Sequence, residues 1–177
     1  MADLNEHAPD FHLPSTAGRQ VSLSDVLMDK GAVIAFICNH CPYVVSAARR
    51  IAEDALTLMD EGIGFAAICA NDAERYPADS FARMKEFAEA NAFRFPYLHD
   101  ESQGVAHRYG ARVTPEFFGI DRNGIIHYRG RLDAGQKAAP PEGAPRELVE
   151  AMRQIARTGE APSAQHPAAG CSIKWKP

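Results

Sequence analysis

The chain has too few cysteines to be stapled by disulfides: four in 177 residues, whereas disulfide-built secreted scaffolds carry several pairs in far shorter chains. It lacks any apolar run near the roughly 18 residues that a membrane helix needs, so no membrane span is expected. It also lacks basic runs, with never more than two Lys or Arg in succession and a formal net charge of −4. Such a surface has little hold on a polyphosphate, which argues against nucleic acid as a partner. Met1 to His7 has neither the basic nor the apolar stretch of a signal peptide, and a cytoplasmic address is the expectation. His7, His12, His99, His107, His127 and His166 show no metal-ligand spacing and read as surface or packing residues.

What is present is an ordinary globular composition, 46% hydrophobic and 24% charged, long enough for one domain with a substantial core. Phe11-His12-Leu13 and Val21-Ser22-Leu23 flank the turn-rich Ser15-Thr16-Ala17-Gly18 and read as a small hairpin. Ala32 to Cys38 is a buried-strand run. Val44, Ala48, Ile51, Ala52, Ala55, Leu58 and Met59 then recur at helical spacing, predicting a helix from Pro42 to the break at Glu61-Gly62. Proline is tolerated at that start because a first-turn N–H has no intrahelical partner. Phe65 to Ala70 reads as a second buried strand. Pro77 predicts another helix, with Phe81, Met84, Phe87 and Ala88 inward.

A short strand at Phe95–Leu98 and a short helix at Ser102–Tyr109 follow. Glu116–Ile120 and Ile125–Arg129 are joined by Asp121-Arg122-Asn123-Gly124, where Asn-Gly signals a hairpin. A last helix opens at Pro145 and ends near Gly159. Alternating strands and helices followed by a hairpin and a helix predict an α/β fold, parallel first and antiparallel at one edge. The expected domain spans 1–159, and 160–177 is a tail without clear period.

Cys38-Asn39-His40-Cys41 lies where the first buried strand gives way to the first long helix. Both sulfurs therefore stand at a helix N-terminus, where free N–H groups and the dipole favour a thiolate. A thiolate is what attacks a disulfide, so this context argues for dithiol–disulfide exchange. Cys69, inside an apolar strand, reads as an inert buried thiol. Cys171, in the tail, is either a free surface thiol or an extra resolving cysteine folded back. Asn71-Asp72-Ala73-Glu74 follows a strand, where open α/β sheets place ligands, although Asn/Asp-rich loops are mostly turn chemistry.

Ala8-Pro9-Asp10-Phe11-His12-Leu13, Phe36-Ile37-Cys38-Asn39-His40-Cys41-Pro42-Tyr43 and Val113-Thr114-Pro115 together resemble the thioredoxin-like superfamily, in its TlpA-like and AhpC/TSA (redoxin) branch. The resemblance spans roughly residues 8–157, and Gly170-Cys171-Ser172-Ile173-Lys174-Trp175 looks like the end of a subgroup sharing the CNHCPY motif. It implies a thioredoxin-like fold, a central mixed sheet with flanking helices, an N-terminal hairpin extension and a C-terminal tail. Cys38 would be the more exposed nucleophile and Cys41 the resolving thiol. Asn39 and His40 would tune the potential, with a partly protonated His40 raising it. Thr114–Pro115 would be the cis dipeptide that offers backbone to a substrate. No cofactor is implied beyond the redox-active disulfide. The partners would be disulfide- or dithiol-bearing proteins and a recycling reductant.

Departures from the pattern matter. Ile37 replaces the aromatic residue before the first cysteine, and Ala32 stands where thioredoxins bury a proton-relaying Asp. Glu116 is a weak candidate for that proton. The leading reading is a thiol–disulfide oxidoreductase. A peroxiredoxin-like thiol peroxidase is the first alternative, although Pro-x-x-x-Thr/Ser-x-x-Cys fits neither Cys38 nor Cys41. A zinc-binding or scaffold module is the second, weakened by a single cysteine pair.

Overall fold

A computed structural model describes residues 1–177. The chain opens with β1 (His12–Pro14) and β2 (Gln20–Ser22), paired antiparallel as the expected hairpin. The one-turn α1 (Leu23–Val26) follows, too short to leave a period in the sequence. Its signature is a capping box in which the Ser22 side chain accepts the Asp25 N–H and Asp25 accepts the Ser22 N–H. Next come β3 (Ala32–Phe36), α2 (Pro42–Asp60), β4 (Gly64–Cys69), a single 3-10 turn at Pro77–Asp79 and α3 (Phe81–Ala90). Then follow β5 (Tyr97–His99), α4 (Gly104–Tyr109), β6 (Val113–Thr114), β7 (Glu116–Ile120), β8 (Ile126–Gly130), α5 (Glu147–Thr158) and β9 (Cys171–Ser172).

The central sheet runs β5-β4-β3-β7-β8. β5, β4 and β3 are parallel, while β7 and β8 are antiparallel, the mixed α/β architecture expected. β3 is the middle strand and every residue in it is buried, which is why it reads as an unbroken apolar run. Strand alternation sends Val33, Ala35 and Ile37 into the core that contains the apolar faces of α2 and α5. Ala32, Ile34 and Phe36 enter the opposite core, with the hairpin, α4 and Tyr109. No helix is long and apolar enough to cross a membrane.

One expectation is corrected. Pro77 does not begin a continuous helix: it opens the 3-10 turn, and α3 starts afresh behind the Ser80 cap, whose hydroxyl accepts the Arg83 N–H. Phe81 is accordingly 39% exposed instead of inward, whereas Met84 is fully buried. The interruption turns Asp79 into the interior. The tail's last residues, aperiodic in sequence, dock on the domain through β9–β6 pairing, burial of Ile173 and stacking of Trp175 on His107 at 4.2 Å.

Candidate active site

Where β3 ends, the backbone turns directly into α2. Cys41 is the N-cap, Pro42 follows it, and the Cys41 carbonyl accepts the Val44 and Val45 N–H groups. Opposite lies the Thr114–Pro115 peptide, cis as the resemblance implies. The Cys38 thiol shares a 3.5 Å hydrogen bond with the Thr114 hydroxyl. Cys41 donates to the Thr114 carbonyl at 3.4 Å. Cys38, Cys41, Thr114 and Pro115 are therefore brought together, and all four cysteines are free thiols. Cys38 is not the exposed sulfur that was expected, being 1% exposed against 0% for Cys41. The Thr114 segment and the 3-10 turn close over it.

Asp79 is the group that sequence reading missed. Fully buried, it lies forty residues from the cysteine pair in sequence, and its Oδ1 accepts the Asn39 N–H at 2.7 Å. Its Oδ2 accepts the Asn71 amide at 2.9 Å and stands 2.6 Å from His40 Nδ1. That last contact is a close approach and not an aligned hydrogen bond, since the same nitrogen has no hydrogen-bond partner. The only hint in the sequence was Asp79-Ser80-Phe81, a helix-start signal two residues after Pro77. Thus the buried acid absent at Ala32 is supplied from another loop.

Asn39 is clamped on every side. Besides its N–H, its amide donates to the Ala78 carbonyl at 3.1 Å and its Oδ1 accepts the buried Tyr97 hydroxyl at 2.7 Å. His40 is not a free loop histidine: it stacks flat against Tyr76, with ring centroids 6.0 Å apart. Tyr76 thereby supplies an aromatic side chain near the motif, whereas Ile37 is fully buried in the core. Glu116 is no proton acceptor for the thiols. Its carboxylate takes the Arg112 N–H and the Arg129 guanidinium, both at 2.9 Å.

The tail cysteine folds back. Cys171 pairs with Thr114 across the β6–β9 ladder and packs against the core that holds Cys38 and Cys41. Electrostatically the thiols act as a set. The Cys41 thiol is held well below its ordinary range, chiefly by donation from Cys38, with the Cys171 thiol, the Val44 N–H and the Cys171 N–H assisting. Cys38 is pushed up by that same donation, by burial and by the Asp79 charge. The two motif thiols therefore share one proton, and the low first ionisation belongs to the pair and not to either cysteine alone. Cys69 is pushed up to about 12, first of all by burial.

Cys38, His40 and Asp79 also present one sulfur, one nitrogen and one oxygen ligand atom within 4.8 Å of one another. This donor set suits a divalent ion of zinc type, and only the tertiary structure assembles it.

The AhpC/TSA family model matches residues 4–129. An uncharacterized conserved protein from Geobacillus kaustophilus is 42% identical, with 100% of this chain and 94% of that one covered at a TM-score of 0.91. A hypothetical protein from Sinorhizobium meliloti is 34% identical, covering 99% of this chain and 96% of that one at a TM-score of 0.90. A secreted Mycobacterium tuberculosis disulfide oxidoreductase shares the fold at 16% identity, a TM-score of 0.60 and coverage of 80% and 92%. None of the curated proteins matches the chain. A family model that spans most of the residues, over a thioredoxin-like sheet carrying a cysteine pair at its helix start, leads to one assignment: the chain belongs to the AhpC/TSA family, in the redoxin branch of the thioredoxin-like superfamily.

Proposed function

We infer that this protein is a thiol–disulfide oxidoreductase working through the Cys38–Cys41 dithiol. The observation that carries the reading is the pair of thiols at the start of α2, both hydrogen-bonded to Thr114 of the cis dipeptide. Cys38 attacks one sulfur of a partner disulfide; the Cys38–partner bond forms as the partner S–S bond breaks, and the departing thiolate takes a proton. Cys41 then attacks Cys38 Sγ, forming the Cys38–Cys41 bond and releasing the second partner thiol. A reductant reverses the sequence, so the potential alone decides direction. An Asp79 carboxylate oxygen within 4.8 Å of the Cys38 sulfur can take up the Cys38 proton. Asn39 and Tyr97 hold the loop that carries the motif.

The test is equilibration in redox buffers from roughly −120 to −320 mV, followed by alkylation and mass mapping. A joint two-electron transition of Cys38 and Cys41 is the expected result. Two thiols that never pair would sink the reading.

Thiol peroxidase activity is the second reading, favoured by the family match and the Thr114 hydroxyl against Cys38. Arg50 and Arg129 do not support it, because each is committed to a carboxylate, Asp133 and Glu116 respectively. Peroxide consumption coupled to thiol oxidation would be its signature. A zinc-binding role at Cys38, His40 and Asp79 would instead show as stoichiometric zinc uptake by the reduced protein.

A further inference from the structure

The edge of the Thr114 segment, where the resemblance would place a substrate's backbone, is already occupied by the chain's own tail. β9 pairs antiparallel with β6, Val113 with Ser172 and Thr114 with Cys171. The tail approaches so closely that a Cβ on Gly170 would collide with the Thr114 carbonyl. That same carbonyl accepts the Cys41 thiol at 3.4 Å. Cys41 and Cys171 thus converge on one peptide group, and Cys171 joins the core cluster that contains both motif cysteines.

The tail is also tied to the motif loop. Lys174 N–H donates to Asn71 Oδ1 and the Lys174 carbonyl accepts the Asp72 N–H. Asn71 in turn donates to Asp79, which holds Asn39. Of the three thiols, Cys38 and Cys41 are buried while Cys171 is only half-buried. The docked tail therefore presents a cysteine beside Cys41 as an internal exchange partner.

We propose that Cys171 is a third exchange-active thiol that relocates the active-site disulfide from Cys38–Cys41 to Cys41–Cys171. The proposal rests on the oxidoreductase reading. In the oxidised protein the Cys171 thiolate attacks Cys41 Sγ. The Cys41–Cys171 bond forms as the Cys38–Cys41 bond breaks, and Cys38 leaves with the electron pair and takes up the proton that Cys171 gave up. No electrons are gained or lost. Cys38 is regenerated for another attack, and the recycling reductant, a small or protein thiol, meets the disulfide at its most accessible sulfur.

The experiment oxidises the full chain with a single equivalent of diamide, quenches in acid, alkylates free thiols and maps disulfides by mass spectrometry. The wild type is expected to give both Cys38–Cys41, with Cys171 alkylated, and Cys41–Cys171, with Cys38 alkylated. Their ratio should not change with redox poise, because the exchange consumes no electrons. Cys38→Ser is expected to give Cys41–Cys171 alone. Gly170→Val, which pushes β9 off the Thr114 carbonyl, is expected to lose Cys41–Cys171 and keep Cys38–Cys41. Full alkylation of Cys171 in every oxidised wild-type and Cys38→Ser molecule would overturn the relay. Cys171→Ser separates the two readings: it forms Cys38–Cys41 if the oxidoreductase reading holds, and its failure to do so removes both.

Discussion

β3 and β4 lie side by side and parallel, and each delivers a buried cysteine at its C-terminal end: Cys38 just past β3 and Cys69 as the last residue of β4. Their exposure is indistinguishable, and burial therefore does not decide which thiol reacts. What differs is the company. Cys38 faces a second thiol, the Thr114 hydroxyl and the Asp79 carboxylate, while the Cys69 thiol is governed mainly by its own desolvation. A buried cysteine whose thiol is governed chiefly by desolvation behaves as a small hydrophobe. Burial beside a proton donor and a second sulfur is the setting that the proposed exchange reaction needs.

The largest expected effect comes from removing one thiol of each kind. Cys38→Ser should reduce disulfide-reductase turnover to background. Cys69→Ala should keep it and cost only about 1 kcal/mol in urea unfolding, a typical figure for a small core change. Equal losses in the two variants would erase the distinction.

Asp79→Asn comes next, because that carboxylate raises Cys38 by its charge. Its neutralisation should stabilise the Cys38 thiolate, and hence the reduced protein, and so raise the reduction potential. Each tenfold shift in the exchange equilibrium corresponds to about 30 mV. The variant should also lose about 1–3 kcal/mol through imperfect pairing of the buried Asn39 and Asn71 groups. An unchanged potential measured against glutathione would show that Asp79 only shapes the loop.

A subtler readout is thiolate absorbance near 240 nm in the reduced protein. Donation from Cys38 is the largest cause of the lowered Cys41 value, so one thiolate should ionise well below the ordinary thiol range. Cys38→Ala should move that titration upward, whereas Cys69→Ala should leave it in place. A titration unaffected by Cys38→Ala would mean that the two motif thiols do not share a proton.

The smallest effect is on stability in alkali. Cys69 rises from 9.0 to about 12 on folding, and burial also raises Tyr97, Tyr109 and Tyr128. Their folded forms keep protons that the unfolded chain releases, so this stability is fully present below pH 9 and drains away as pH rises toward 12. Cys41 acts in the opposite sense. Its lowered value adds stability that is complete above its unfolded value of 9.0 and is lost as pH falls through the folded one. Urea midpoints of the reduced protein should therefore decline from pH 9 upward, with Cys69→Ala declining less.

The order of the main strands and helices was legible because each of these longer elements carries its own local signal. β3 is an unbroken apolar run, α2 repeats its apolar residues at helical spacing from Pro42, and Asn123-Gly124 marks the β7–β8 turn. The Cys38–Cys41 pair, the Thr114–Pro115 dipeptide and their junction with a helix start were legible for the same reason, since spacing within a few residues is a local property. Burial of Cys38, capture of Asp79 and docking of Cys171 were not. Asp79 reaches the motif because a 3-10 turn interrupts what the periodicity presents as one helix. Cys171 reaches it because a two-residue strand finds the open edge of β6. Local sequence determined the elements and the chemistry of each side chain. Which acid and which third thiol join Cys38 and Cys41 was decided only by tertiary structure, because those contacts are made by packing between segments whose separation along the chain carries no periodic signal.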